Sequence, residues 1–549
     1  MDGTPAPRRN GLFLVIDALR YDTLADEAAR RFLFPTLARL VEGGRVVKLT
    51  TNAQATQFVM PALFSQTYPL DYGGYNRGIR DRPATYVEVL REAGYATGLY
   101  SACNQLGAGM GYERGFDLRC TALDYRLLIE HRITRFLGYY IEAMQRGERT
   151  EDEVLALVRD EFAELLRQIL LNFEREDKSA WPAVLWKLNR RVVAGVEGEL
   201  ALIASEPRAV LAKLMRIPAG NYWHFLGRRA IGPARLFLTR AIDSVRWRSR
   251  RWLNKRRFPP FLLLSHIEAV APEILKPVVA RVARRTEGPW HLHIHLMDVH
   301  DARAINRFAN VLARARYLPR WIGGRIRGLT RRHWIYDTAL MYVDAQLKPL
   351  VAALERSGQL DDTCIAITGD HGNNFALSPR KKGNISARTF REDLEVPLIV
   401  RAPWMTDPAR DGLFDSMTAS ATLLHCLGVK PHSAFEGRSI FERGKEIVVS
   451  ESCGSGNADV AVRDLHFTVT GARHKMMARL CGKRLELVQL FDLAQDPDEL
   501  NDVANRPESK PVVDGLVTAL MRERARLFAL RGVEAEGWQA PAAPAARAA

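Results

Sequence analysis

Short apolar runs alternate along this chain with longer segments of helical spacing. Leu12-Phe13-Leu14-Val15-Ile16 is uninterrupted apolar sequence closed by Asp17, which reads as a strand buried on both faces with a carboxylate at its tip. A helix over Ala28–Val41 follows, then a short strand at Val46–Leu49. The polar loop Thr50–Gln57 leads into an apolar helical stretch at Met60–Ser65. Tyr86–Ala93 reads as a helix stopped by Gly94, and Thr97–Tyr100 as a further strand. This alternation predicts an α/β fold with a doubly wound, mostly parallel sheet. From about Thr121 the pattern changes. Val154, Leu155, Val158, Phe162, Leu165, Leu166 and Ile169 keep helical spacing, and no strand signal appears before Gly288, so 121–288 is expected to be a helical insertion. Period-two alternation returns at Trp290–Met297, where His291, His293 and His295 interleave with Leu292, Ile294 and Leu296 and read as ordinary strand or surface histidines. A helix at Tyr336–Ser357 and strands at Cys364–Thr368 and Val396–Val400 complete a core spanning 11–120 and 289–428. Short strands at Glu446–Ser450, Leu465–Thr470, Lys475–Leu480 and Leu485–Leu490 predict a small C-terminal antiparallel α+β subdomain over 429–535. The Ala/Pro-rich end, 536–549, reads as a disordered tail.

Three of these elements end in chemistry. The strand Cys364–Thr368 runs into Gly369-Asp370-His371-Gly372, which delivers a carboxylate and an imidazole to a strand tip. Open α/β sheets place their ligands at that edge, and Asp17 arrives at the same kind of position from far away in sequence. Thr56 stands just before the apolar stretch that contains Pro61, a residue favoured near a first helical turn. A hydroxyl there would sit beside a helix N-terminus, whose free N–H groups and partial positive charge suit a tetrahedral anion. Asp298 reads as structural, Arg20 and Asp22 as residues that fix the first loop, and Asp337 and Asp344 as capping or solvated.

Read in order, Val15-Ile16-Asp17-Ala18-Leu19-Arg20-Tyr21-Asp22, Thr56 through Met60-Pro61 to Tyr68-Pro69 and Gly73, Leu296-Met297-Asp298-Val299-His300, Tyr336-Asp337-Thr338-Ala339, Gly369-Asp370-His371-Gly372, Val396-Pro397-Leu398-Ile399-Val400 and Phe491-Asp492-Leu493 resemble the sulfatase branch of the alkaline phosphatase superfamily. The resemblance spans 11–120 and about 289–505. It implies an alkaline phosphatase-like fold and a metal-dependent hydrolase or transferase of phosphate or sulfate esters. It puts metal ligands at Asp17, Asp370 and His371, the nucleophile and a further ligand at Thr56, a substrate or leaving-group contact at His300, and basic substrate contacts at Lys381 or Lys382 and at Arg388. Two departures bear on the chemistry. Asp17 is followed by Ala18 where sulfatases usually carry a second aspartate. Thr56 cannot become the formylglycine that sulfatases make from cysteine or serine. A threonine nucleophile is similar to the relatives that move phosphoryl groups through a covalent threonine intermediate: phosphoethanolamine transferases, lipoteichoic acid synthases and nucleotide phosphodiesterases. No second set of Asp and His ligands is evident, so one divalent ion (Ca, Mn, Mg or Zn) is expected.

Charge and cysteine usage narrow the partners. The net charge of +16 favours an anionic partner, in line with an anionic ester substrate. Between Arg228 and Arg257 stand eleven cations against Asp243 alone, with Trp247 and Trp252 interleaved. Such a segment suits an anionic membrane surface or an acidic glycan. No helix-turn-helix, RRM or zinc-finger pattern accompanies it, and nucleic acid is not expected. The alternative to an enzyme is a non-catalytic protein of the same fold that binds an acidic polymer or membrane through this basic insertion. Six scattered cysteines with no paired spacing read as free thiols. The run after MDGTPAPRRNG is too short for a signal-peptide core, and no stretch nears the ~20 apolar residues of a membrane span. The expected location is therefore the cytoplasm, with attachment to the membrane periphery possible only from the surface.

Overall fold

The structure is a computed structural model. It describes residues 9–533 and 538–539, apart from 108, 230, 256–268, 286, 301–313, 374–388, 407–410, 455–459 and 462. Seven strands form the main sheet: β1 Asn10–Ile16, β2 Arg45–Thr50, β3 Ala96–Ser101, β4 Leu118–Thr121, β5 Trp290–Leu296, β6 Thr363–Thr368 and β7 Glu395–Arg401. Their spatial order is β2-β7-β6-β1-β5-β3-β4, with β7 antiparallel to both neighbours and every other pair parallel. β1 is central, flanked by β6 and β5, and Phe13, Val15 and Ile16 are fully buried. A central strand covered on both faces has no polar side, which is why its sequence reads as a continuous apolar run. β4 was not evident in the pattern: it is four residues long and buried only at Cys120 and Thr121.

A second sheet is built from β8 Val448–Ser452, β9 Leu465–Thr470, β10 His474–Cys481 and β11 Arg484–Asp492, all antiparallel, with the short β12 Trp538–Gln539 parallel to β11. Its apolar side chains belong to the same continuous core as the main sheet. The helices of 125–225 instead enclose a core of their own, which includes Ile129, Phe136, Phe162, Leu166, Val196 and Tyr222.

Several local expectations need correction. The helix expected over Ala28–Val41 is two helices, Glu27–Leu33 and Pro35–Glu42, because Pro35 forces Phe34 out of helical geometry to φ −133°, ψ 67°. Asp337 and Asp344 are buried, not solvated. Asp344 accepts hydrogen bonds from the Thr36 and Leu37 amides at 3.2 and 2.8 Å, so it caps the neighbouring helix Pro35–Glu42 from outside. Asp337 takes bonds from Trp321, Thr330 and Arg332. Asp298 accepts from the Ala271 amide, and Arg20 pairs with Asp22 at 2.7 Å. His291, His293 and His295 are fully buried, not surface residues. Tyr86 Oη lies 2.7 Å from His293 Nδ1 and 3.1 Å from His291 Nε2, and burial pushes the pKa of both imidazoles down, that of His291 to about 3.

One ion cluster seats the helical region against the core. Glu161, buried on a π-turn at Val158–Phe162, meets Arg80 at 2.7 Å, Arg132 at 3.1 Å and Arg77 at 3.3 Å. Arg132 also donates to the Gly109 carbonyl at 3.0 Å. Removing the acid leaves buried Arg132 without its counter-charge, which is more costly than never having built the pair. Glu161→Ala is expected to cost about 3 kcal/mol, seen as a lower urea midpoint and faster amide exchange in 125–175, with the strands of the main sheet still protected.

Candidate active site at the strand tips

The carboxyl ends of β6, β1 and β5 meet at one point. β1 leads into Asp17, whose amide bonds to the Leu296 carbonyl at 3.0 Å and so ties the tips of β1 and β5 together. Ala18 then turns through φ +61°, a left-handed conformation uncommon for a residue with a Cβ. The turn is held by Asp370, whose Oδ1 accepts from the Ala18 amide at 3.0 Å and from the His371 amide at 2.9 Å. With Oδ1 taken, Asp370 Oδ2 faces inward. The backbone approaches closely here: a Cβ on Gly372 would lie 2.1 Å from the Glu392 carbonyl oxygen, and one on Gly369 2.6 Å from that of Leu19. Both positions need glycine for space.

Thr56 comes from the other side. It is the first residue of the helix Thr56–Ser65, not the residue before it, and Pro61 lies inside that helix and not in its first turn. The preceding loop is pinned to the second sheet: the Glu451 amide donates to the Asn52 carbonyl at 2.8 Å, and Asn52 Nδ2 donates to the Val449 carbonyl at 3.1 Å. Thr56 Oγ1 thereby stands 3.0 Å from Asp17 Oδ2 and 3.3 Å from His371 Nε2.

His371 Nδ1 lies 2.6 Å from the Gly372 carbonyl, an acceptor only, so Nδ1 carries the proton and Nε2 presents its lone pair to the centre. That Nε2 is 3.7 Å from Asp17 Oδ1 and 3.6 Å from Asp370 Oδ2. Both carboxylate oxygens are buried without a hydrogen-bond partner among the described residues. Ligand atoms of Asp17, Asp370 and His371 all fall within 4.8 Å of one another. Two buried anionic oxygens left unpaired around one imidazole nitrogen are costly unless a cation joins them. The donor set of carboxylate and hydroxyl oxygens with one imidazole suits a divalent ion of the hard to borderline class. Burial works against the charge on Asp17, but His300, the contact with His295 and His371 outweigh it and hold the carboxyl well below its usual range. Burial likewise opposes charge on His371, and Asp370 and Asp17 reverse that and raise its pKa.

A cavity of about 280 Å³ opens over this centre, lined by Thr56, Gln57, Gln105, Arg135, His300 and His371 among others. His300 is exposed at its mouth, with its ring 6.4 Å from that of His371. The structure therefore gathers Asp17, Thr56, His300, Asp370 and His371 around one cavity, whereas Lys381, Lys382 and Arg388 lie outside the described residues. Two neighbours had no signal in the sequence that singled them out. His295 Nε2 sits 3.5 Å from Asp17 Oδ2; a histidine one position before the end of a strand that pairs with β1 was the available hint. Arg135 reaches in from the helical region on the π-turn Ile133–Leu137 and donates to Gln57 Oε1 at 2.7 Å. Nothing local distinguishes it from the other arginines of 121–288.

Comparison with known proteins finds related folds. The sulfatase family model matches residues 238–429, a stretch that contains His300, Asp370 and His371 but not Asp17 or Thr56. No curated protein sequence matches the chain significantly. Among solved structures, a sulfatase of Bacteroides thetaiotaomicron superposes with a TM-score of 0.55 at 13% identity, covering 96% of this chain and 94% of its own. A 2-O-glycosaminoglycan sulfatase gives the same values. A phosphonate monoester hydrolase of Agrobacterium radiobacter superposes at 0.51 with 16% identity, covering 95% and 96%. Identities this low establish a shared fold.

The candidate ligands are expected to act as a set. Metal analysis of purified protein should find one divalent ion per chain, and Asp370→Asn should reduce it below about a tenth of that, because Oδ2 loses its charge and the bonds to Oδ1 are disturbed. The same variant should lose the rise in melting temperature that added metal gives the wild type.

Proposed function

We propose that this chain, which matches the sulfatase family model over residues 238–429 and shares the fold of solved sulfatases and of a phosphonate monoester hydrolase, is a metal-dependent ester hydrolase or group transferase whose nucleophile is Thr56. One observation carries the reading: a buried threonine hydroxyl lies between Asp17 and His371 on the floor of a cavity lined with cationic and amide groups. Such a cavity suits an anionic ester of the phosphate, phosphonate or sulfate type.

A divalent ion held by Asp17, Asp370 and His371 would favour the alkoxide of Thr56 and offset charge on the ester's non-bridging oxygens. Asp17 Oδ2 accepts the Thr56 hydroxyl proton and aims the oxygen into the cavity. Oγ1 then forms a bond to phosphorus or sulfur as the bond to the leaving oxygen breaks, and His300 at the mouth is placed to give that oxygen a proton. In the second half, His300 takes a proton from water or an acceptor alcohol, whose oxygen bonds to phosphorus or sulfur as the bond to Thr56 Oγ1 breaks, and Oγ1 recovers its proton from Asp17 Oδ2. His295 orients Asp17 from behind. Arg135, fixed by Gln57, supplies a cation to non-bridging oxygens or to a further anionic group of the substrate. Threonine favours a phosphoryl or phosphonyl group over sulfuryl, because this two-step displacement replaces the carbonyl chemistry available to formylglycine.

Two variants separate the roles. On a panel of aryl phosphodiesters, phosphonates and sulfates with added Mn²⁺, Zn²⁺ or Ca²⁺, Thr56→Ala should lose at least about 10³-fold in kcat while still binding metal. Full turnover by that variant would remove the nucleophile assignment. Arg135→Gln should raise KM by about tenfold, or ~1.4 kcal/mol, with kcat nearly unchanged; steady-state kinetics on the best ester decides this.

A further inference from the structure

The helix Pro233–Lys255 is joined to the rest of the 121–288 region near its start. Among its described side chains Leu236 alone is buried, seated in that region's core, and Arg240 donates to the Arg216 carbonyl at 2.7 Å. Past this attachment the helix offers large apolar side chains to the outside: Phe237 is 73% exposed, Leu238 60%, Ile242 50% and Val245 68%. At about 100° per residue these positions fall within an arc of roughly 140°. A stripe of this kind is ordinarily turned to a core, and here it faces away from one. Exposed Arg235, Arg240 and Arg248 accompany it, within a segment that carries eleven cations against one acid.

We propose that this helix is the docking face of the protein for an anionic phospholipid surface, lying in the plane of the interface with Phe237, Leu238, Ile242 and Val245 toward the acyl boundary and the arginines at headgroup level. Two features together select this partner. A sulfated glycan or nucleic acid would use the arginines but gain nothing from four aliphatic and aromatic side chains. A groove on a second protein would use the apolar stripe but would not call for so one-sided a charge. A bilayer of anionic headgroups over hydrocarbon takes both at once. No helix of the described residues is long and apolar enough to cross a membrane, so the contact is with the surface. The inference does not depend on the catalytic reading, since none of these residues lines the cavity over Thr56.

The test is co-sedimentation of the full chain with vesicles of phosphatidylcholine, with and without phosphatidylglycerol. Wild type should partition onto the vesicles that contain phosphatidylglycerol and remain in solution with phosphatidylcholine alone. The triple variant Arg235→Gln, Arg240→Gln, Arg248→Gln should lower the partition coefficient by about a hundredfold, from ~1 kcal/mol for each cation near the surface. The quadruple variant Phe237→Ser, Leu238→Ser, Ile242→Ser, Val245→Ser should lose binding to a comparable extent while its retention on immobilised heparin is unchanged. Circular dichroism and turnover of a soluble ester serve as controls for folding. Wild type that fails to sediment with anionic vesicles overturns the proposal. So does a quadruple variant that binds them like wild type, which would leave simple polyanion attraction. Vesicle-free dimerisation abolished by the quadruple variant, with no lipid binding, would assign the stripe to a second copy of the chain.

Discussion

Everything at the centre of this protein follows from two carboxylates that are buried and only half satisfied. Asp370 uses one oxygen to gather the amides of Ala18 and His371, and Asp17 uses one to receive the Thr56 hydroxyl. The second oxygen of each points into the same small space, where His371 presents an unprotonated ring nitrogen. Like charges at this separation in a dry environment repel strongly, and neither can recruit solvent. A cation resolves the conflict.

The backbone bears a cost for this geometry. Ala18 occupies the left-handed region, and Gly369 and Gly372 admit contacts that no larger residue would allow. Residues in sparsely populated conformations persist where their surroundings over-determine them. Here the surroundings are the central strands β6, β1 and β5, each buried along its length and bonded to its neighbours in parallel register. The rigid sheet holds the tips, and the tips hold the ligands.

Two outlying regions bear on the cavity, one by holding its floor and one by lining its wall. The C-terminal sheet is not an appendage, because β8 clasps the loop that ends in Thr56, and Arg524 joins Glu451 of β8 to Asp71 through buried ion pairs at 2.8 and 2.7 Å. The helical region brings Arg135 to the cavity wall on a π-turn, and a second π-turn carries the glutamate that seats the region on the core. Widened turns of this sort are often found at functional positions in helices. The helix Pro233–Lys255 contributes no side chain to that cavity.

The sequence by itself determined the strands that are buried on both faces and the helical character of the described residues between 125 and 282, and it named Asp17, Thr56, Asp370 and His371, which the fold brings together. Apolar runs that end in a ligating residue are local signals, and an ordered series of motifs survives any amount of intervening chain. Strand-end carboxylates could therefore be named before the sheet was seen. Only the tertiary structure decided which of the alternating histidines of β5 touches Asp17, that Asp344 caps a helix some three hundred residues earlier in the chain, and that one arginine among many in the helical region reaches the cavity. Each of these depends on which elements become neighbours, and a side chain's neighbours across a sheet or between helices leave no periodicity of their own. The break at Pro35 was legible in principle, since proline restricts the residue before it, but apolar spacing continued across it and concealed the boundary. Burial of His291, His293 and His295 was hidden for the opposite reason: polar residues at alternate positions imitate a solvent-facing edge, and only the helix Thr56–Ser65 with Tyr86 packed over β5 turns that face into core.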